Sequence, residues 1–249
     1  EIIRVIHGQT DRIERGMGAF ASRVTVMCGE ATRMAAAKLR EHLLLLAAEL
    51  MQTSQKFLTI SQGRIMRSDS SSGPSILLAE LARQRPLAAE ATFESAHMVY
   101  PYGVHIAVVR VDAETGGVAV ERYAIAYDVG RAVNPRLVEG QIAGGLAQGI
   151  GGALFEEFLY DDAGEPLSVS FADYLMPTAR EVPELSILVT EDAPSPLNTL
   201  GLKGAGEGGA NPVGAAIASA IDDALQRPGA VTRLPVTPQR LKALMAQAG

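Results

Sequence analysis

The chain has a single cysteine, Cys28, in 249 residues. It therefore forms no internal disulfide and cannot by itself supply the thiolates of an iron–sulfur cluster. A reducing compartment is the expectation, cytoplasmic because no secretory leader is recognisable. Cys28 itself reads as a small buried hydrophobe. Tryptophan is missing and aromatics make up 5% of the residues, too few for a base-stacking surface. Positive charge is short as well: 22 Lys and Arg face 28 Asp and Glu, for a net charge of −6, and no basic run stands out. Nucleic acid is thus not an expected partner. The longest apolar run, Leu43 to Ala48, is far below membrane-spanning length, so no membrane association is expected. The four histidines, His7, His42, His97 and His105, lack metal-ligand spacing and read as structural or surface residues, with no metal site expected on protein side chains. His105 alternates with the apolar residues of its strand, which leaves open the side it faces. The first residue is Glu1 rather than Met, and the expectation is a segment of a longer product.

What is present is ordinary for a core-forming protein: 47% apolar and 20% charged residues. Residues 1–26 read as irregular and glycine-rich. Leu39, Leu43, Leu46, Ala47 and Leu50 recur at helical spacing and predict a helix over Glu30–Met51. Two short strands follow, Phe57–Ile60 and Arg64–Met66, turning at Gln62-Gly63. A loop runs from Asp69 to Pro74, and a short helix from Ile76 to Arg83. Val104–Val111 and Val118–Tyr127 are β-rich and read as a hairpin. Asn134-Pro135 opens a helix to about Phe158 through an N-cap and a first-turn proline. Ser186–Thr190 is a further strand. The irregular alternation predicts an α+β fold with mixed sheets and packed helices, in one region or in two lobes of about 1–100 and 101–249.

The glycine-rich stretch from Leu200 to Pro212 carries one carboxylate, Glu207, among Gly201, Gly204, Gly206, Gly208 and Gly209. Such a loop lets backbone approach a ligand and reaches positive φ without a Cβ penalty. Asn211-Pro212 then reads as an N-cap and a first helical residue, with Val213–Leu225 as the helix. Gly204 to Gly209 also satisfies G-x-G-x-x-G, but the context of a dinucleotide fold is missing. The preceding segment holds Pro194 and Pro196, which bar a central strand, and too little chain follows. A P-loop fails for want of a closing Lys-Ser or Lys-Thr pair.

Several segments, in this order, resemble one family: the molybdopterin-binding large subunit of the xanthine dehydrogenase, aldehyde oxidase and carbon-monoxide dehydrogenase class of molybdenum hydroxylases. They are Gly16-Met-Gly-Ala-Phe-Ala-Ser-Arg23, Asp128-Val-Gly-Arg131, Asn134-Pro135, Val138-Glu-Gly-Gln-Ile-Ala-Gly-Gly145, Gln148-Gly-Ile-Gly151, Asp173-Tyr-Leu-Met-Pro177 and Gly201-Leu-Lys-Gly-Ala-Gly-Glu-Gly208. The bacterial three-subunit branch looks more similar than the animal enzymes.

The resemblance implies a reaction in which water-derived oxygen enters a C–H bond of an aldehyde or N-heterocycle, or carbon monoxide is oxidised. Glu207 matches the family's glutamate, which takes a proton from a molybdenum-bound hydroxyl. Gln141 matches a glutamine that hydrogen-bonds the pterin, and Ala21, Ser22 and Arg23 match a cofactor-contacting turn. Gly140, Gly144 and Gly206 would let the backbone approach the cofactor, and Lys203 would neutralise a phosphate or partner Glu207. The cofactor implied is molybdenum-molybdopterin in its cytosine dinucleotide form, with iron–sulfur and FAD on partner chains. The implied partners are the upstream half of the large subunit, the iron–sulfur and flavin subunits and a small-molecule substrate, in a homodimer of such heteromers. The chain corresponds to the C-terminal part of the cofactor-binding region, and alone it is expected to be inactive. The residues by themselves leave blander readings open. Glu207 as a solvated loop acid, Gln141 as a helix surface residue, Ser22 as a turn cap and the helix glycines as packing contacts all fit. A non-catalytic binding or assembly module of the same fold stays an alternative, with nucleotide binding a more remote one.

Overall fold

The alanine- and leucine-rich stretch forms α1, Val24–Leu50, beginning six residues before the expected start because no proline or cap interrupts it there. The computed structural model describes residues 3–70 and 72–247. The first two residues of the irregular start, Ser71 of the expected loop and the last two residues lie outside the described residues. The chain divides into two units, Glu1–Ala19 with Val24–Ala96, and Phe20–Arg23 with His97–Gly249.

In the first unit, β1 (Leu58–Ser61), β2 (Arg64–Arg67) and β3 (Ser75–Leu77) form an antiparallel sheet in that order. Gln62 and Gly63 turn the first pair with φ of 48° and 73°, the twist that suits a two-residue hairpin. Leu44 and Ala47 of α1 pack with Leu58, Ile65 and Leu81. The expected helix from Ile76 begins instead at Leu78, as α2 (Leu78–Gln84). Ile76 pairs with Ile65 in β3: a β-branched residue with a strand partner joins the ladder. Cys28, expected to be buried, is exposed on α1; the face that α1 buries carries Val26 and Glu30 instead.

In the second unit, β4 (Tyr102–Val111) and β5 (Val118–Asp128) form the expected hairpin, and β6 (Glu184–Thr190) adds to β5 in parallel. The fold is α+β, one sheet antiparallel and the other mixed. The hairpin turn is held by Asp112 Oδ1, which accepts from the N–H of Glu114 at 2.8 Å. α3 (Pro135–Leu154) connects β5 to β6. Asn134 accepts at its side chain from Leu137 N–H, and Pro135 stands in the first turn. The helix ends four residues before the expected Phe158, where Phe155 and Glu156 both donate to the Gly151 carbonyl. The helix after the glycine loop, α4 (Val213–Ala224), starts one residue later than expected. Pro212 is the residue before it, and Asn211 makes no cap; the N–H groups of Ala210 and Asn211 are taken by the Glu207 carbonyl instead. α5 (Pro238–Ala246) was not foreseen, although Thr237-Pro238 caps it through Arg240 N–H.

Tyr123, Ile125 and Tyr127 of β5 face α3 and α4 across a core that includes Ile142, Leu146, Ile150, Ile217 and Ile221. The opposite face of the sheet carries a second apolar patch. Tyr102, Val104, Ile106 and Val108 on β4 and Leu188 on β6 are exposed there, around the smaller Ala124 and Ala126 of β5.

Candidate functional site

The glycine loop lies in the second unit against β5 and α3. Its glycines are mostly explained by protein contacts. A Cβ on Gly208 would collide with the Tyr127 phenol and one on Gly209 with the Ile142 carbonyl, and one on Gly204 would stand 2.9 Å from the Ser22 carbonyl oxygen. Only Gly201 uses positive φ, at 71°. The expectation that these glycines exist to approach a ligand is therefore replaced, at 204, 208 and 209, by close packing of the loop on the core.

Packing leaves Gly206 and Glu207 exposed at the crest. Below them is Ser22. Its hydroxyl donates to Glu207 Oε2 at 2.9 Å and accepts from the Glu207 N–H at 2.7 Å. Ala21 and Ser22 are both left-handed, with φ of 50° and 55°. Two successive non-glycine residues there carry roughly 1–3 kcal/mol of strain each, and the turn holds because its surroundings fix it. Gln141, exposed on α3, brings Oε1 to 3.8 Å from where a Gly206 Cβ would stand. Ser22, Gln141, Gly206 and Glu207 thus meet at one place. Ala21 is exposed beside them, and the Arg23 guanidinium lies over the Phe20 ring at 4.9 Å.

Lys203 is placed elsewhere. Expected to meet a phosphate or Glu207, its Nζ donates to Asp128 Oδ1 at 2.8 Å and lies 4.3 Å from the Tyr102 ring centroid. A buried carboxylate needs a counter-charge, and Asp128 takes this one. Asp128 also accepts from the N–H groups of Gly130 and Ala193 and from the Thr190 hydroxyl. Burial pushes its pKa up, but the Lys203 bond and the two N–H groups outweigh that and bring it to about 2.

Sequence reasoning passed over two residues that touch the loop. Tyr127 donates its hydroxyl to the Gly204 carbonyl at 3.2 Å, and burial, then the Glu207 charge, pushes that hydroxyl up to about 12. His105 faces inward, with Nε2 3.0 Å from the Gly208 carbonyl oxygen. Period-two alternation could have put His105 on the same face of β4 as Ala107 and Val109, but nothing local ties it to residue 208.

The glycines of α3 divide. Cβ atoms on Gly145 and Gly149 would stand 2.9 Å from Gly209 and 2.5 Å from Val213, so these two serve packing. Gly140, Gly144 and Gly152 face open space. Alanine at the last three is expected to raise stability by about 0.5–1 kcal/mol each through helix propensity, read as a shift in urea midpoint. If the open strip beside Gln141 receives a ligand, Gly144→Ala also lowers cofactor content in the assembled protein while Gly152→Ala leaves it alone. Equal content in both variants would return Gly144 to an unused surface.

Among the described residues no three His, Cys, Asp or Glu side chains gather to hold a metal ion. A metal at this place would arrive in the grip of an organic cofactor. The donor set fits such a group: an amide and a hydroxyl for polar heteroatoms, one Glu207 carboxylate oxygen with no hydrogen-bond partner among the described residues, and a helix face bare of side chains at Gly140 and Gly144.

A family profile described as the molybdopterin cofactor-binding domain matches residues 1–183. The chain is 41% identical to the gamma subunit of the 6-hydroxypseudooxynicotine dehydrogenase complex of Paenarthrobacter nicotinovorans, over 97% of this chain and 32% of that protein. It is 31% identical to the carbon monoxide dehydrogenase large chain of Afipia carboxidovorans, over 82% of this chain and 26% of that one. Among solved structures, quinoline 2-oxidoreductase from Pseudomonas putida 86 superposes with a TM-score of 0.80 at 33% identity, over 93% of this chain and 31% of that chain. The chain spans about a third of the length of such relatives.

Proposed function

Because this chain belongs to the molybdopterin cofactor-binding family of the molybdenum hydroxylases, we propose that it forms the C-terminal part of the cofactor-binding region of a larger oxidoreductase subunit, with Glu207 as its catalytic base. The observation that carries this reading is the convergence of Ser22, Gln141, Gly206 and Glu207. Ser22 engages Oε2 and the backbone N–H of Glu207, and Oε1 would accept the proton. The Gln141 amide, able to donate and accept, would hold the pterin, and Gly140 and Gly144 would admit it against α3. Ala21 and Arg23 would complete the contacts from the turn. The molybdenum cofactor, in the cytosine dinucleotide form, would supply the two-electron oxidation and the water-derived oxygen.

The substrate is an aromatic N-heterocycle or an aldehyde, or carbon monoxide; two relatives' names, quinoline and 6-hydroxypseudooxynicotine, support the first, and a third names carbon monoxide. The partners would be the remaining part of the large subunit and subunits carrying iron–sulfur and FAD. No helix of the described residues is long and apolar enough to cross a membrane, and we place the assembly in the cytoplasm. The test is molybdenum content, by elemental analysis of the chain alone and after co-expression with the rest of its large subunit. Metal in the co-expressed protein only is the expected result. No metal in either would overturn the reading in favour of a module that assembles but does not catalyse.

A further inference from the structure

Glu207 sits in a loop that should be hard to hold still. Gly206 precedes it and Gly208 and Gly209 follow, so the flanking peptide planes lack the side chains that normally restrict rotation. A carboxylate that has to meet a reacting atom cannot drift: displacement of about 1 Å can lower a rate by about 10²-fold. Ser22 secures the Glu207 side chain and N–H. The Ala210 and Asn211 N–H groups hold the Glu207 carbonyl, and the peptides farther out, at Gly204 and Gly208, are restrained from the sheet.

On one side the Tyr127 hydroxyl takes the Gly204 carbonyl. On the other, His105 Nε2 takes the Gly208 carbonyl at 3.0 Å. The chemistry of the partners fixes the imidazole's tautomer. A carbonyl oxygen only accepts, so Nε2 carries the hydrogen. Nδ1 is then an acceptor in the neutral ring, and Tyr123 donates its hydroxyl to it at 3.0 Å. Tyr123 is 2% exposed, and burial drives its hydroxyl well above the usual range, so the donor stays protonated. Burial also lowers His105, against the pull of the Gly208 bond, and favours the neutral ring. The two rings meet edge to face, 5.6 Å apart at 82°. The relay therefore runs in one direction, from the Tyr123 hydroxyl to Nδ1 and from Nε2–H to the carbonyl one residue beyond Glu207.

We propose that His105 is a positioning residue for Glu207: its Nε2–H bond to the Gly208 carbonyl, oriented by Tyr123, locks the Gly208–Gly209 peptide, one beyond the peptide that follows Glu207, and so sets where Glu207 points. The inference rests on the reading of Glu207 as base for its purpose, and on geometry alone for the clamp. His105 does not reach the reacting atoms; it acts through the backbone.

The experiment compares His105→Leu, which removes the donor, with His105→Gln, which retains an amide N–H at similar reach, both in the complete assembled enzyme. Amide hydrogen exchange over residues 203–211, molybdenum content, and kcat and KM with quinoline and 6-hydroxypseudooxynicotine are measured together. In His105→Leu the amides of Glu207, Ala210 and Asn211 are expected to exchange at least tenfold faster. The variant's kcat should fall roughly tenfold to a hundredfold at similar KM and full molybdenum content, and His105→Gln should restore both. An unchanged exchange rate over the loop in His105→Leu would overturn the clamp, whatever the kinetics. So would a loss shared equally by Leu and Gln, since that marks plain damage to the core. A loosened loop in an enzyme indifferent to Glu207→Gln would instead overturn the role of Glu207 as base and leave the clamp standing.

Discussion

Glu207→Gln in the assembled enzyme is expected to lower kcat by roughly 10²–10⁴-fold, the range that a well-placed general base contributes. The substitution is close to isosteric, which makes it a clean probe. The Gln amide oxygen still accepts from the Ser22 hydroxyl, and Ser22 still accepts from the backbone N–H at 207. The Ala210 and Asn211 bonds to the carbonyl of residue 207 are backbone bonds and persist. Loop, fold and cofactor retention should therefore be unaltered, with molybdenum content and melting temperature matching the parent. What is lost is only the capacity to take a proton. Turnover of an organic substrate at the parent rate, with a full complement of molybdenum, would remove Glu207 from the chemistry.

Lys203→Met is expected to carry the largest stability loss, about 3–5 kcal/mol at pH 7, because it leaves a buried charge without its counter-ion. The Lys203 and Asp128 side chains are 8% and 2% exposed. The two N–H groups and the Thr190 hydroxyl remain on Asp128, but they cannot neutralise it. The pH dependence follows from the sign of the shift. The folded-state pKa of Asp128, about 2, is below its ordinary value of 3.8. Its stabilising contribution is therefore present above about pH 4 and is lost as pH falls through 4 towards 2. The gap between parent and Lys203→Met should accordingly be widest at neutral pH and shrink in acid, where the variant's carboxyl protonates first. Urea unfolding at pH 7 and pH 4 reads this directly. A difference under about 1 kcal/mol at pH 7 would show that the pair does not hold the structure together. Adding Asp128→Asn to Lys203→Met should recover part of the loss, since it removes the stranded charge.

The elements that sequence reading reached are those with local signals. Asn134-Pro135 announces α3 by its cap, and the hairpin of β4 and β5 shows in alternation and in the turn from Asp112 to Gly117. β3 escaped because its three residues, Ser75–Leu77, carry no period of their own, and their strand character comes from pairing, Ile76 with Ile65. α5 was legible from Thr237-Pro238 but was hidden among the prolines around it. At the site, Ser22, Gln141 and Glu207 were named from resemblance, and the structure brings them together. The partnership of Lys203 with Asp128 and that of His105 with Gly208 span 75 and 103 positions. No local pattern reports contacts of that range. Glycine was the most ambiguous signal, because tight packing at 149 and 208 and open surface at 140 and 144 are written with the same residue.

The apolar patch on the outer face of the second unit's sheet has a consequence for how its strands find their alignment. In most half-exposed sheets a slip of one residue would turn polar side chains into the core, and that penalty guards the pairing. Here Arg122 and Asp128 of β5 and Glu184, Ser186 and Thr190 of β6 carry that penalty, but along residues 104–108 of β4 and at Ala124 and Ala126 of β5 a slip would exchange one set of hydrophobes for another. In that middle stretch volume does the discriminating: Tyr123, Ile125 and Tyr127 fill the side under the helices, while Ala124 and Ala126 occupy the other. The irregularity between Val108 and Val109 adds a second marker, since it fits only one alignment. Enlarging Ala124 or Ala126 would erase the size code while leaving the hydrophobic pattern untouched, so Arg122, Asp128 and the irregularity at Val108 would be left to guard the alignment of the hairpin.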